Sequence, residues 1–159
     1  MITVPDGVTS VERRAVHEAA LQAGSRDAYL IQQPLAAALG IDLPIGTPSG
    51  NMVLCLGGGV TQAAVLAMYG IVAAETLRAG GMALDESIVA YVRKKYGMII
   101  GQLTAEQVKM NIGSAILVNE EQSVELQGQD QVTGLPRPVT LTTGEIVEAM
   151  QDPLRAILD

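Results

Sequence analysis

The sequence predicts an α/β fold in which a mixed sheet is flanked by helices. Short apolar segments with strand character alternate with longer segments of helical periodicity, and glycine- or proline-containing turns separate them. Hydrophobic residues make up 48% of the chain and aromatic residues only 3%, with no Phe and no Trp. The predicted core is therefore built from Ala, Val, Leu, Ile and Met side chains.

The first third of the chain predicts two short strands, each followed by a helix. "ITV" ends a strand, "PDG" is a turn, and "TSVERRAVHEAALQAG" is a helix with a Thr9–Glu12 capping box and a stop at Gly24. "AYLI" is the second strand, and "QQPLAAALG" is a short helix with Pro34 in its first turn. The segment "IDLPIGTPSGN" is interpreted as a linker between two lobes.

Three strands are predicted next, in the segments "MVLCL", "TQAAVLAMYG" and "IVAAETLRAG". The first is almost wholly apolar, which is typical of a strand that is covered on both faces. Because the connections are short, the strands are expected to form an antiparallel meander. The turn between the first two consists of three consecutive glycines, Gly57, Gly58 and Gly59.

Two helices are predicted after the meander. Asp85 is the expected N-cap of the helix "DESIVAYVRKKYG", which ends at Gly97. "TAEQVKMNIGSA" is predicted to be a second helix with a Thr104–Gln107 capping box.

The last forty or so residues predict a hairpin and a helical end. "SVELQGQDQVTGLPRPVTLT" alternates polar and apolar residues around a "TGLP" turn, as a hairpin with one exposed face does. "TGEIVEAMQ" is predicted to be a helix capped by Thr142 with Glu145. Asp152 and Pro153 are expected to begin a new helical segment, "PLRAILD".

Composition excludes several classes of function. The formal net charge is −7 and no basic run exceeds "RKK", so a nucleic-acid partner is disfavoured. The single cysteine, Cys55, precludes an internal disulfide and favours a reduced, cytoplasmic setting. The first residues lack the pattern of a signal peptide, and no direct membrane-spanning segment is predicted.

The glycine turn can carry chemistry, because successive backbone N–H groups without Cβ atoms can cradle a phosphate. A bare glycine turn with no ligand is the simpler alternative. Neither G-x-x-x-x-G-K-[ST] nor a G-x-G-x-x-G that opens a helix is present. The turn alone therefore leaves both interpretations open.

The order of the motifs resembles the MreB family of bacterial actins. The family pattern includes "VPxGIT", "IEEPxAAAIG", "VDIGGGTTEVAVIS" and "RTAEEIKxxIGSA". In this chain the matching segments are "VPDGVTSVERRAV", "IQQPLAAALG", "LCLGGGVTQAAVLA", "LRAGGMALDESIVAYVRKKY", "LTAEQVKMNIGSA" and "LQGQDQVTGLPRPVTLTTGEI". The resemblance covers essentially the whole chain.

The resemblance implies an actin-like (ribonuclease H-like) fold in which ATP with Mg²⁺ binds between two lobes. Residues 1–47 are then expected to be the C-terminal part of the first lobe, and residues 48–159 the second lobe. Residues 81–142 approximate the small inserted subdomain of that lobe. The family's first phosphate loop and its adenosine loop are expected outside this chain, so a fragment or truncated copy is predicted.

The resemblance also implies roles for individual residues. Gly57, Gly58, Gly59, Val60 and Thr61 match the second phosphate loop, which embraces the β- and γ-phosphates. In the second lobe, Glu106 and Lys109 match helix positions that reach the ribose and adenine. They are three residues apart and share a helical face, so an exposed ion pair between them is the structural alternative.

Four positions depart from the family pattern. The family has Asp at Cys55, where the carboxylate holds the waters around Mg²⁺, so no metal ligand is expected there. Gln32 and Gln62 replace Glu at positions that are catalytic in the family, where Gln32 orients the attacking water, and Val60 replaces Thr. An amide cannot act as a general base, so Gln32, Thr61 and Gln62 are expected to form an impaired catalytic set.

Three functional hypotheses follow from the resemblance. The first is a filament subunit of the bacterial cytoskeleton that acts in cell shape and has a degenerate ATPase site. The second is an active actin-fold ATPase that hydrolyses ATP through Gln32 and Thr61 in a full-length protein. The third is another actin-fold ATPase, either chaperone-like or sugar kinase-like.

The resemblance further implies partners and a location. Subunits of the family self-associate into filaments at the inner membrane face, with membrane-associated morphogenesis proteins as possible partners. The chain itself is predicted to be cytoplasmic, to show no measurable ATPase activity, and to bind ATP weakly or not at all.

Overall fold

The computed structural model describes all residues, Met1–Asp159, and confirms the α/β fold class. The chain divides into two compact units, Met1–Arg78 and Ala79–Asp159. The lobe boundary between residues 47 and 48, inferred from the resemblance, stays a prediction, as does the inserted subdomain at 81–142.

The first unit contains two small sheets and two helices. Its elements are β1 (Ile2–Val4), α1 (Ser10–Gln22), β2 (Leu30–Gln32), α2 (Gln33–Gly40), β3 (Asn51–Leu56), β4 (Thr61–Ala67) and β5 (Gly70–Leu77). β1 and β2 are parallel, with Val4 opposite Gln32. The predicted Thr9–Glu12 capping box at the start of α1 is present.

The predicted antiparallel meander is confirmed as the sheet β3-β4-β5. One face of this sheet packs on α2, where the core consists of Ala38, Ile45, Val53, Ala64 and Leu66. Ile45 comes from the segment between α2 and β3 and is only 1% exposed. That segment is therefore packed into the first unit and is not an open linker, because its isoleucine supplies part of the core.

The second unit packs three helices against a three-stranded sheet. Its elements are α3 (Gly81–Tyr96), β6 (Met98–Ile99), α4 (Gln102–Ile112), β7 (Ser123–Asp130), β8 (Pro136–Thr142) and α5 (Thr143–Leu158). β7 and β8 form the predicted hairpin, and β6 extends the sheet beside β7. Its core includes the fully buried Ile88, Val92, Met98, Leu141 and Ile146.

Three predicted helix boundaries in the second unit are wrong. α3 begins at Gly81, so Asp85 lies inside the helix, where it is buried and forms an ion pair with Lys109 of α4. α4 begins at Gln102 with Gly101 as its N-cap, which removes the predicted Thr104 cap. α5 runs without a break through Pro153, since its apolar face continues to pack on the same core.

Glu145 connects the start of α5 to the end of α3. Its carboxylate accepts a hydrogen bond from the Thr142 N–H (2.9 Å), as the predicted capping box requires. It also lies 2.8 Å from Lys95 Nζ and accepts the Tyr96 hydroxyl. Burial raises the pKa of Glu145, but Lys95, Tyr96 and the Thr142 N–H together outweigh it, and the pKa is lowered from its ordinary value of 4.5.

We expect this lowered pKa to contribute to stability at neutral pH and the contribution to be lost in acid. The carboxylate is favoured in the folded state, so its contribution is complete above the unfolded pKa and disappears as the pH falls through the lower, folded value. With Glu145→Gln, the free energy of unfolding should therefore fall less steeply as the pH decreases below about 4.5. Urea unfolding at several pH values checks this, with the exposed Glu125→Gln as control; equal slopes for both variants would contradict it.

Candidate functional site

The three consecutive glycines form the hairpin loop between β3 and β4. The Gly57 N–H donates to the Val60 carbonyl oxygen over 2.9 Å and closes the loop. A Cβ on Gly57 would lie 2.8 Å from that same oxygen, so the close approach of the backbone requires glycine here. None of the three glycines has a positive φ, so at Gly57 it is the close approach of the backbone, and not a left-handed conformation, that requires glycine.

Gly58 and Gly59 leave the outer side of this loop open. Their backbone N–H groups donate to no protein acceptor. A Cβ added to Gly59 would meet nothing within 4 Å, so the space beside this backbone is free. Adjacent, unused N–H donors beside free space fit the needs of a phosphate group.

A hydrogen-bonded network of side chains lies in the same unit and centres on Asp6. Gln62, on β4, is only 1% exposed. Its Oε1 accepts the Asp6 backbone N–H (3.0 Å), and its Nε2 donates to Gln33 Oε1 (3.2 Å). Gln32 Nε2 donates to the Asp6 carboxylate over 2.8 Å. The network thus joins the β1–α1 turn, the β2–α2 junction and β4.

The parallel pairing of β1 and β2 explains why Asp6 and Gln32 meet. The carboxyl ends of parallel strands lie at the same edge of a sheet, and residues that follow them gather there. Val4 is opposite Gln32, and Asp6 follows two residues after Val4. Gln32 is also the N-cap of α2, yet its side chain makes no capping hydrogen bond and turns to Asp6.

Asp6 determines the orientation of both amides that contact it. The Asp6 carboxylate accepts hydrogen bonds, so the NH₂ group of Gln32 must face it. The Asp6 backbone N–H donates a hydrogen bond, so the side-chain oxygen of Gln62 must face this N–H group. Gln32 Oε1 receives no hydrogen bond from the protein and is not buried. This carbonyl oxygen is therefore available to an external donor such as water.

Cys55 lies directly opposite Gln62 in the β3–β4 register, so their side chains share one face of the sheet. The thiol is half-buried and packs against the core of the first unit. A small apolar side chain suits that environment, whereas a carboxylate there would need a compensating partner.

Thr61 does not join this cluster. Consecutive strand residues point to opposite faces, so Thr61 shares the other face with Leu56 and Leu77, its neighbours in register. It is only 5% exposed. Of the three residues predicted to be catalytic, the structure therefore brings together Gln32 and Gln62, through Asp6, and separates Thr61 from them.

In the second unit, Glu106 and Lys109 share α4 but do not pair with each other. Lys109 Nζ lies 2.7 Å from Asp85 Oδ1 and forms an ion pair with it, although the angle between the two groups does not fit a hydrogen bond. Lys109 Nζ also donates a hydrogen bond to the Gly81 carbonyl oxygen over 3.0 Å. The side chains of Lys109 and Asp85 are 20% and 7% exposed, respectively. Glu106 is exposed. The adenosine roles of both residues stay predictions, but the Lys109 ammonium already has two protein partners.

No group of three or more His, Cys, Asp or Glu side chains that could hold a metal ion is present. The side chain at position 55 is the thiol of Cys55, and a thiol is a poor ligand for a hard cation such as Mg²⁺. The glycine hairpin thus fits a phosphate group, whereas the side chain at position 55 does not fit a directly bound Mg²⁺ ion. None of the helices combines the length and the apolar character needed to cross a bilayer.

The parallel β1–β2 pair, the antiparallel meander with its glycine hairpin and the helices that flank them define an actin-like α/β protein. The chain belongs to the MreB/Mbl family, whose sequence model, described as MreB/Mbl protein, matches residues 1–159. This assignment confirms the resemblance, and it does not support the chaperone-like and sugar kinase-like alternatives.

Curated relatives carry names that refer to cell shape. The cell shape-determining protein MreB of Escherichia coli (strain K12) is 45% identical over 158 residues, which cover 99% of this chain and 46% of that protein. The cell shape-determining protein Mbl of Bacillus cereus (strain ATCC 10987 / NRS 248) is 38% identical, covering 99% and 47%, respectively. The chain thus spans about half the length of these relatives.

Solved structures of a related protein have the same fold. MreB5 of Spiroplasma citri bound to AMPPNP has a TM-score of 0.92 and 33% sequence identity, covering 99% of this chain and 47% of that one. The same protein bound to ADP also has a TM-score of 0.92 and 33% identity, covering 99% and 48%.

Sequence reasoning missed Asp6 and Gln33. The "PDG" segment predicts only a turn, and the paired glutamines predict only a helix start. The signal that could have found Asp6 is topological: two predicted strands, each followed by a helix, favour a parallel pair whose carboxyl ends meet. The site therefore contains one carboxylate, on Asp6, in addition to the amides at positions 32 and 62 and the thiol at position 55.

We expect Lys109→Ala to destabilise the second unit strongly. Removing the ammonium leaves the buried Asp85 carboxylate without its partner, and breaking a buried pair in this way costs about 3 kcal/mol. Glu106→Ala on the same helix is the control and should change stability by less than about 0.5 kcal/mol. Urea unfolding measures both; a Lys109→Ala loss no larger than the control would show that the pair is unimportant.

Proposed function

We propose that the chain is part of an actin-like cytoskeletal protein that acts in cell shape, binds an adenine nucleotide at the glycine hairpin, and hydrolyses it slowly. Membership of the MreB/Mbl family and the names of the relatives support the cell-shape role. The solved structures of MreB5 with AMPPNP and ADP support the choice of nucleotide.

The observation that carries the nucleotide proposal is the open glycine hairpin. The unused N–H groups of Gly58 and Gly59 can donate to phosphate oxygens, while Gly57 holds the loop closed through Val60. The loop lies between β3 and β4, whose register also places Gln62 and Cys55 opposite each other. Phosphate donors and the amide network therefore belong to the same compact unit.

Slow hydrolysis follows from the side chains that replace acids of the family pattern. Cys55 offers no oxygen ligand to the hydrated Mg²⁺ that accompanies ATP, and a thiol among apolar neighbours does not attract it. Gln62 uses both ends of its amide within the protein. Loss of a group that preorganises metal or water costs orders of magnitude in rate.

Filament formation and location are proposed for the complete protein, meaning the polypeptide of the relatives' length that would contain this chain. Its subunits would self-associate into filaments on the cytoplasmic face of the inner membrane, with membrane-associated morphogenesis proteins as partners. The ribose role of Glu106, whose side chain is exposed on α4, stays a prediction from the family pattern. Electron microscopy of the complete protein with nucleotide tests the filament; absence of polymers under all nucleotide conditions would contradict it.

A second candidate function is an ATPase as active as its relatives. The observation in its favour is the Asp6 carboxylate, which lies 2.8 Å from Gln32 Nε2 and keeps a negative charge in the site. The two candidates differ only in the rate of hydrolysis and share the nucleotide site.

We expect Gly59→Ala to weaken nucleotide binding without loss of stability. The added methyl group has free space in the folded chain but occupies room beside the phosphate donors, so AMPPNP affinity of the complete protein should fall on the order of tenfold. Gly40→Ala, which also meets nothing within 4 Å, is the matched control. Calorimetry measures both. Equal AMPPNP affinities for the two variants, or no AMPPNP binding by the unaltered complete protein, would contradict the proposed site.

We expect Cys55→Asp to raise Mg²⁺-dependent ATP turnover of the complete protein by about tenfold or more. The carboxylate restores an oxygen ligand where the family pattern has one. Cys55→Asn serves as the control, because the Asn side chain has nearly the shape of Asp but carries no charge. Phosphate release measures turnover. A family-like rate in the unaltered protein with no gain in Cys55→Asp would favour the second candidate.

A further inference from the structure

The two amides that contact Asp6 differ in what they leave unused. Gln62 is buried, and both its Oε1 and its Nε2 have protein partners. Gln32 is half-buried, and only its Nε2 has a protein partner. Its Oε1 remains an acceptor that faces no protein donor. Gln62 thus has a structural role, and Gln32 is the amide that can contact a further molecule.

Asp6 removes the ambiguity of the Gln32 side chain. A free glutamine amide can rotate by half a turn and present either its NH₂ group or its oxygen to a neighbour. Here the carboxylate 2.8 Å from Nε2 stabilises one of these orientations through a charge-assisted hydrogen bond. Gln62 in turn fixes the Asp6 backbone through its own hydrogen bond of 3.0 Å.

We propose that Asp6 is a positioning residue for hydrolysis: it holds Gln32 so that Oε1 accepts a hydrogen bond from the attacking water. This inference rests on the proposed nucleotide-hydrolysing function. The water oxygen forms a bond to the γ-phosphorus, and the bond from that phosphorus to the bridging oxygen breaks. The electron pair leaves with ADP, and a water proton passes to the phosphate product or to solvent.

The same geometry explains why an amide occupies position 32 in this chain. A glutamate there would bring its carboxylate within about the same 2.8 Å of the Asp6 carboxylate, and two like charges at that distance repel strongly. The family pattern has Glu at this position and no fixed residue at position 6. The site of this chain therefore carries its negative charge on Asp6 and its water acceptor on Gln32.

The test compares variants of Asp6 in the complete protein. Asp6→Ala should lower the kcat for ATP by about tenfold and leave KM within about twofold, because orientation of the water is lost while phosphate binding is kept. Asp6→Asn retains an oxygen acceptor for Gln32 Nε2 and should recover most of the kcat. Asp27→Ala, which removes an exposed acid of the same unit, is the control and should match the unaltered protein.

AMPPNP affinity, measured on the same proteins, distinguishes failure of the proposed function from failure of the positioning role of Asp6. If the unaltered protein binds no AMPPNP, the proposed function is wrong and this inference is wrong with it. If AMPPNP binding is intact and Asp6→Ala leaves kcat unchanged, only the positioning role is overturned. It is also overturned if Asp6→Asn loses as much kcat as Asp6→Ala while both variants keep the thermal stability of the control.

Discussion

The hydrogen bonds made by Asp6 hold the candidate site together, because they join three segments that are distant in sequence. Gln32 lies 26 residues from Asp6 and Gln62 lies 56 residues from it. A buried amide such as Gln62 is costly unless both of its ends are paired, and here both are. The paired Gln62 amide therefore stabilises the first unit, and the orientation of the Gln32 amide depends on a single turn residue, Asp6.

The position of the negative charge links this network to function. The family pattern has carboxylates at the positions of Gln32, Cys55 and Gln62, whereas this chain has none there and carries a carboxylate on Asp6 instead. A half-buried thiol and two amides reduce repulsion within the first unit, and the open backbone of the glycine hairpin is retained. These features together favour a site that binds phosphate groups but provides little help to a metal ion. The slow hydrolysis proposed above and the stability of the first unit would then have the same physical origin, namely fewer uncompensated charges beside an apolar sheet.

Sequence patterns predicted the elements that depend on local chemistry. The Thr9–Glu12 and Thr142–Glu145 capping boxes and the antiparallel meander are confirmed, since caps and short turns are set by neighbouring residues. Asp85 was predicted to be a cap but lies inside α3, because its partner Lys109 comes from another helix. Asp6 was missed for the same reason: a contact between residues far apart in sequence leaves no periodic signal, and only the parallel strand pair brings it about.

The most direct measurement of this arrangement is a double-mutant cycle on the 159-residue chain, with unfolding free energies of Asp6→Asn, Gln32→Glu and the double variant. Gln32→Glu alone places two carboxylates together and should lose stability. Adding Asp6→Asn supplies an amide NH₂ group to the new carboxylate, so the reversed pair should recover most of that loss. Strictly additive effects of the two substitutions would contradict the hydrogen bond between Asp6 and Gln32, and with it the proposed organisation of the site.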